Sequence, residues 1–250
     1  MSEKPNHYYY NSSSYNNNNA LSRPVRRHLV NVYLTLAAMC AIATFGSHIG
    51  DYLGPSGTSI GSVGALGSMS MIRFTSINSN SRWGLLLAYS IFSGIAISTF
   101  ISFILNWDPT GNIVFLSLTS AALVFLGFTL SALTSSRRST MYVGALASSA
   151  ISVLLWLSLA NLFFFQSSSL FSFELYAGLL AFAGFVMYDT QMIIDRANAG
   201  NMDIPGHAIE LFMDLYALFV RFANIFLKKE MERENDKRRR QRGGFRLQRE

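Results

Sequence analysis

Long uncharged apolar runs recur through most of this chain, and they constrain its fold more than any other feature. Between Leu29 and Leu227, each run approaches the length of about 20 residues that crosses a bilayer core as a helix. Half of the residues are hydrophobic and 14% are charged, whereas about 25% are charged in typical soluble domains. The pattern predicts an all-α membrane protein with polar ends.

The chain divides into one membrane domain and two polar tails. Residues 1–28 are rich in Asn, Ser and Tyr and cannot bury enough apolar surface to fold, so we predict a disordered tail there. Residues 29–227 form the predicted seven-helix bundle, and residues 228–250 form a basic tail. The predicted membrane segments are 29–50, 58–77, 83–105, 113–133, 141–165, 173–194 and 208–227.

The loop charges predict the orientation of the bundle. Lys and Arg residues precede the first segment and lie in every second loop after it, while the alternate loops carry none. This alternation indicates a cytoplasmic N-terminus. From Lys228 onward the chain has ten Lys and Arg residues against five acidic ones, which favours a cytoplasmic C-terminus as well. The seventh segment then either re-enters the membrane within the bundle, or crosses fully and carries the tail over.

Two aspartates lie well inside the last two apolar segments. Asp189 belongs to the sixth segment and Asp214 to the seventh. A carboxylate at bilayer depth costs about 2.5–3.5 kcal/mol on insertion scales, so such residues are usually functional. A short connection makes the two helices neighbours, and two touching carboxylates share a proton rather than both ionise. We therefore predict a pH-sensitive site whose oxygens bind calcium transiently, although Asp214 could instead belong to a structural ion pair.

Three other charged residues are candidate gating partners of this pair. On a helix, Glu210 and Arg221 fall on the same face as Asp214, and His207 joins them. That stripe suits a helix which lines a polar path at the centre of a bundle. Arg73 is the only charge in the second segment. It is expected either to pair with one of the aspartates or to reach the aqueous margin along its own stem.

Two further ionisable residues and the basic tail are expected to face solvent. Arg196 follows the sixth segment and is expected in water, and His207 lies beside a turn, where a histidine more often caps a helix or lies at the surface. The tail is expected to be solvated. Contact with anionic lipids or with a calmodulin-like protein is the alternative for it.

The stretch FELYAGLLAFAGFVMYDTQMII, followed by IELFMDLYALFVRFANIFLK, resembles the C-terminal half of the Bax inhibitor-1 family, the transmembrane Bax-inhibitor-motif proteins. The plant-like endoplasmic-reticulum branch is most similar. The resemblance implies a seven-helix bundle with the last helix near its centre, and a pH-sensitive calcium leak that suppresses programmed cell death under stress. The family's paired aspartates fall on Asp189 and Asp214. Calcium ions, membrane lipids and cell-death regulatory membrane proteins are the implied partners, without a bound cofactor.

The sequence is also compatible with two other classes of protein. An intramembrane aspartyl protease also uses two buried aspartates, and Tyr188-Asp189 matches one half of its signature. The other half is missing, because no Gly-x-Gly-Asp surrounds Asp214 and no Pro-Ala-Leu follows it. A non-conducting scaffold that binds cell-death regulators is the second alternative. We predict that the chain is not an enzyme and does not bind nucleic acid.

Overall fold

The computed structural model describes residues 21–77, 79–135 and 137–247, with side chains left undescribed at 137–139 and 241–247. The predicted disorder of residues 1–20 lies outside this part of the chain. Within it, the predicted all-α class is confirmed, since seven α-helices and one π-helical turn account for the ordered elements. They are α1 Arg23–Leu53, α2 Pro55–Phe74, α3 Ser81–Trp107, α4 Asn112–Thr134, α5 Arg137–Ala160, the π-helical turn Asn161–Phe165, α6 Ser168–Asn198 and α7 Ile204–Leu247.

Prolines set the starts of the first two helices. α1 has a proline in its first turn and already begins at Arg23, so the residues just before Leu29 are helical rather than part of a polar tail. α2 begins directly at Pro55, three residues before the predicted segment. Proline suits these positions because the first helical N–H groups have no partner within the helix and the proline φ is already helical.

α7 continues without a break from the apolar segment into the basic tail. Four ion pairs one turn apart support the extension: Lys228–Glu232, Arg233–Glu230, Lys237–Glu234 and Arg238–Glu234. Lys, Arg and Glu also favour helix intrinsically, and pairs at this spacing each add about 0.2–0.5 kcal/mol. Residues 228–247 thus continue α7, and the side chains described at 229–240 are mostly exposed.

α7 lies at the centre of the bundle. It packs against α1, α2, α3, α4 and α6, while α1 and α2 cover α3, and α5 packs on α6. Five helices are long and apolar enough to span a membrane, namely α1, α3, α4, α6 and the helix formed by residues 140–165. α2 and α7 do not meet that measure within the described residues. The polar side chains of α7 therefore gain their partners from the surrounding helices.

Candidate functional site: a carboxyl pair between α6 and α7

Asp189 of α6 and Asp214 of α7 lie side by side in the bundle. Their carboxyl groups are close enough to form a hydrogen bond with each other. Asp214 is 5% exposed and Asp189 is partly buried. Among the described residues, no donor reaches Oδ2 of Asp214. A carboxylate accepts hydrogen bonds only, so a bond between the two groups requires that one of them hold a proton.

Three consecutive residues of α6 face three different neighbours. Asp189 faces α7, and the buried Thr190 hydroxyl lies 3.5 Å from the Tyr33 hydroxyl of α1. The Gln191 amide donates to the carbonyl oxygens of Ala132 and Ser135, at the end of α4. Successive helical residues point about 100° apart, so this Asp-Thr-Gln run fixes α6 against three helices at one level. The run thereby holds the Asp189 carboxyl in place.

Glu210 connects two arginines, Arg73 and Arg196, to the carboxyl pair. It lies one turn before Asp214 on α7 and accepts two hydrogen bonds from Arg196, at 3.0 and 2.8 Å. Arg73 of α2 approaches the same carboxylate at 3.6 Å. Arg73 is thus paired with Glu210 and not with either aspartate, and Arg196 is engaged at the end of α6 rather than free in water.

Arg221 lies apart from the carboxyl pair. Its guanidinium carbon lies 4.1 Å from the centre of the Phe182 ring, and Nη1 donates to the Ala217 carbonyl at 3.3 Å. Two turns of α7 separate it from Asp214. A guanidinium over an aromatic face is a cation–π contact, so Arg221 anchors α7 to α6 and has no contact with the aspartates among the described side chains.

A cleft of about 780 Å³ leads to the carboxyl pair. Residues of α2, α3, α6 and α7 line it, together with Ile151 of α5. Asp189, Asp214 and Glu210 all line it, and Arg73 and Arg196 stand at one end. The carboxyl pair therefore borders a cavity large enough to hold several waters or an ion with its hydration shell.

A second buried polar cluster joins α7 to α1, α2 and α3. Nε2 of His28 lies 2.9 Å from Nδ1 of His207, and the two side chains are only 4% and 2% exposed. One turn earlier in the chain, Asp203 forms an ion pair with buried Arg82. Arg82 also donates to the carbonyl oxygens of Ile72 and Thr75, at 2.8 and 2.7 Å, where α2 ends. His207 is thus a buried packing residue, and the expectation of a surface or capping histidine is wrong.

Sequence reasoning missed both of these contacts. His207 did carry a signal, since it lies on the same helical face as Glu210 and Asp214, which faces the bundle. His28 and Arg82 carried none, because their partners are 179 and 121 residues away along the chain. Only the packing of α7 between the other helices brings these pairs together.

The chain also resembles known proteins along most of its length. The family model described as "Inhibitor of apoptosis-promoting Bax1" matches residues 25–231. "Bax inhibitor 1" of Oryza sativa subsp. japonica is 36% identical over 224 residues, covering 89% of this chain and 88% of that protein. The Arabidopsis thaliana protein of the same name is 34% identical over 215 residues, or 86% of each chain. The Homo sapiens one is 32% identical over 219 residues, covering 85% of this chain and 90% of its own length.

Proposed function

Because this chain belongs to the Bax inhibitor 1 family of membrane proteins that counter apoptosis, we propose that it suppresses stress-induced cell death as a pH-sensitive calcium leak. The membrane would be that of the endoplasmic reticulum, with both termini in the cytoplasm. Calcium is the transported ion, and the aspartates are its transient ligands. The contact between Asp189 and Asp214 is the observation that carries the proposal.

The carboxyl pair can act as a proton-controlled clasp. Two ionised carboxylates in contact repel each other, whereas one shared proton lets them form a hydrogen bond. Oδ2 of Asp214 has no other donor among the described residues, so a proton shared with Asp189 supplies a hydrogen bond that no other described group provides. The protonated pair holds α6 against α7. Loss of the proton introduces repulsion, separates the two helices and offers free oxygens to a cation.

The charges around the pair favour passage over storage of calcium. Two arginines, Arg73 and Arg196, face three carboxylates in the cleft. One negative charge remains when all three are ionised, which is less than a divalent ion needs for balance. Calcium also prefers six to eight oxygen ligands, and two aspartates supply only part of that set. The site therefore fits an ion that enters with water and leaves again.

Calcium flux in liposomes that contain the full-length protein tests this proposal. We expect the wild-type flux to rise as the pH is raised and the shared proton is lost. Asp214→Asn gives Asp189 a permanent donor, so its flux should be low at every pH. Asp214→Ala removes the clasp, so its flux should be high at every pH, and Asp189→Asn should behave as Asp214→Asn does.

Asp236→Asn is the matched control, since it makes the same change on an exposed part of α7 outside the bundle. It should keep the wild-type pH profile. Equal, pH-independent flux in all of these proteins would refute the proton clasp. No flux in the wild type would favour a non-conducting scaffold. Cleavage of a membrane-spanning model peptide, abolished by either Asn substitution, would favour an intramembrane aspartyl protease.

A further inference from the structure

The cleft beside the carboxyl pair is open on its outer side and mostly apolar. α2 packs on α3 and makes only slight contact with α7, so one side of α7 is uncovered between α2 and α6. Leu66 of α2 and Met213 of α7 stand at the opening, 66% and 39% exposed. Phe182 and Phe185 of α6 line the wall on the other side. In a membrane protein, such exposed apolar side chains face the lipid chains.

We propose that this cleft binds a lipophilic amine, a molecule with an alkyl chain and a terminal ammonium group. The ammonium would lie against Asp189 and Asp214, and the alkyl chain would follow the apolar wall toward the bilayer. The inference rests on the same carboxyl pair as the proposed function, but it concerns binding and requires no ion flux. Such a ligand would occupy the path of the cation and inhibit the leak.

An unsatisfied acceptor points to a ligand with donors. Asp214 lines the cleft and is only 5% exposed. Among the described residues, no donor reaches its Oδ2 atom. An ammonium group has three N–H donors, so it can reach both carboxyl groups at once. Charge-assisted hydrogen bonds of this kind are about twice as strong as neutral ones.

The net charge of the cleft matches one positive charge. With all three carboxylates ionised, Arg73 and Arg196 leave a single negative charge uncompensated. A primary ammonium neutralises that charge, whereas a carboxylate or phosphate ligand would add to it. Tyr89 and Tyr216, which also line the cleft, present aromatic rings of the kind that attract ammonium groups. Charge complementarity therefore favours a monovalent cation over an anion.

The dimensions of the cleft suit an alkyl chain as well as a head group. Its volume of about 780 Å³ lies within the range of about 300–1,000 Å³ found for small-molecule sites. The opening between α2 and α6 admits a ligand from the lipid, where a lipophilic amine concentrates. The carboxyl pair at the floor then determines which end of the ligand enters.

The ammonium and the shared proton compete for the same oxygens, so binding should weaken as the pH falls. The charged and titratable groups that face the pair come from five helices. They are Tyr33 of α1, Arg73 of α2, Tyr89 of α3, Arg196 of α6, and Glu210 and Tyr216 of α7. Arg73, Arg196 and Glu210 form ion pairs with one another. The two aspartates are therefore the groups that exchange a proton for the ligand.

Binding of radiolabelled dodecylamine to the full-length protein in nanodiscs of neutral phospholipid tests the inference, without calcium. We expect saturable binding to the wild type that weakens on acidification. Dodecanol has the same chain without the charge and should show only partition into the lipid. Asp214→Asn should weaken dodecylamine binding about tenfold or more, because it removes a charged hydrogen-bond acceptor. Asp236→Asn should leave binding unchanged.

A second variant keeps the test valid if Asp214→Asn fails to fold. Ala65 lines the cleft on α2, so Ala65→Phe fills the space for the alkyl chain and keeps both aspartates. It should also weaken dodecylamine binding. Equal binding to the wild type, Asp214→Asn and Ala65→Phe, or no saturable binding to the wild type, would overturn the inference. Calcium flux without amine binding rejects this inference alone, whereas amine binding without calcium flux rejects the proposed function alone.

Discussion

Gly94 of α3 packs directly against the backbone of α1, and its substitution tests this helix packing. A Cβ atom built at Gly94 would lie 2.0 Å from the carbonyl oxygen of Ala43 and 2.9 Å from the backbone nitrogen of Ser47. Both atoms belong to the backbone of α1 and cannot rotate away. Gly94→Ala therefore requires that the two helices move apart.

The cost of this substitution follows from the distances. Ordinary contacts of a Cβ atom begin at 3.4 Å, so the contact with Ala43 must lengthen by more than 1 Å. Overpacking of this kind costs about 1–3 kcal/mol, and alanine returns about 0.5–1 kcal/mol through its better helix propensity. We expect a net loss of about 0–2.5 kcal/mol in unfolding free energy, by difference of these ranges.

Gly127 in the middle of α4 is the matched control, since no atom lies within 4 Å of a Cβ built there. Gly127→Ala should leave stability unchanged or raise it slightly. Thermal unfolding of the purified variants in detergent, followed by far-ultraviolet circular dichroism, measures both effects. A Gly94→Ala variant as stable as Gly127→Ala would refute the close packing of α1 on α3.

Two further predictions concern polar contacts outside the carboxyl pair. Asp203→Ala should lower the unfolding free energy by about 3–5 kcal/mol, because it leaves the charge of Arg82 buried without its carboxylate; a loss below about 1 kcal/mol in thermal or denaturant unfolding would contradict this. In the loop before α4, the Thr110 hydroxyl and the Ile113 backbone N–H hold the pKa of Asp108 below its usual value. The stability that Asp108 contributes is therefore present above its unfolded pKa of about 3.9 and lost as the pH falls through the lower native pKa. Asp108→Asn should be less stable than the wild type near neutrality and equal to it in strong acid, whereas a gap that widens on acidification would contradict the prediction.

The helices could be predicted from the sequence because their signal is local. Apolar length alone indicates seven segments, and the structure has seven α-helices within its described residues. The ends were less predictable. Helix propensity and ion pairs between neighbouring turns extend α7 past Leu227, and these forces do not depend on hydrophobicity. Apolar patterns therefore give the number of helices better than their length.

Part of the candidate site could also be predicted from the sequence. The short link between α6 and α7 is enough to bring Asp189 and Asp214 to one level, and the structure places them in contact. The partners of Glu210 could not be predicted, because Arg73 and Arg196 reach it from two other helices. Those contacts depend on how the helices rotate and tilt against α7, and no local pattern records that.

Infrared spectroscopy of the reconstituted protein tests the central claim most directly, since a protonated carboxyl group absorbs apart from a carboxylate. The shared proton predicts a protonated carboxyl band near neutral pH in the wild type. That band should disappear in both Asp189→Asn and Asp214→Asn and persist in Asp236→Asn. A wild-type spectrum without the band, or a band that survives both substitutions, would show that the two aspartates do not hold a proton between them.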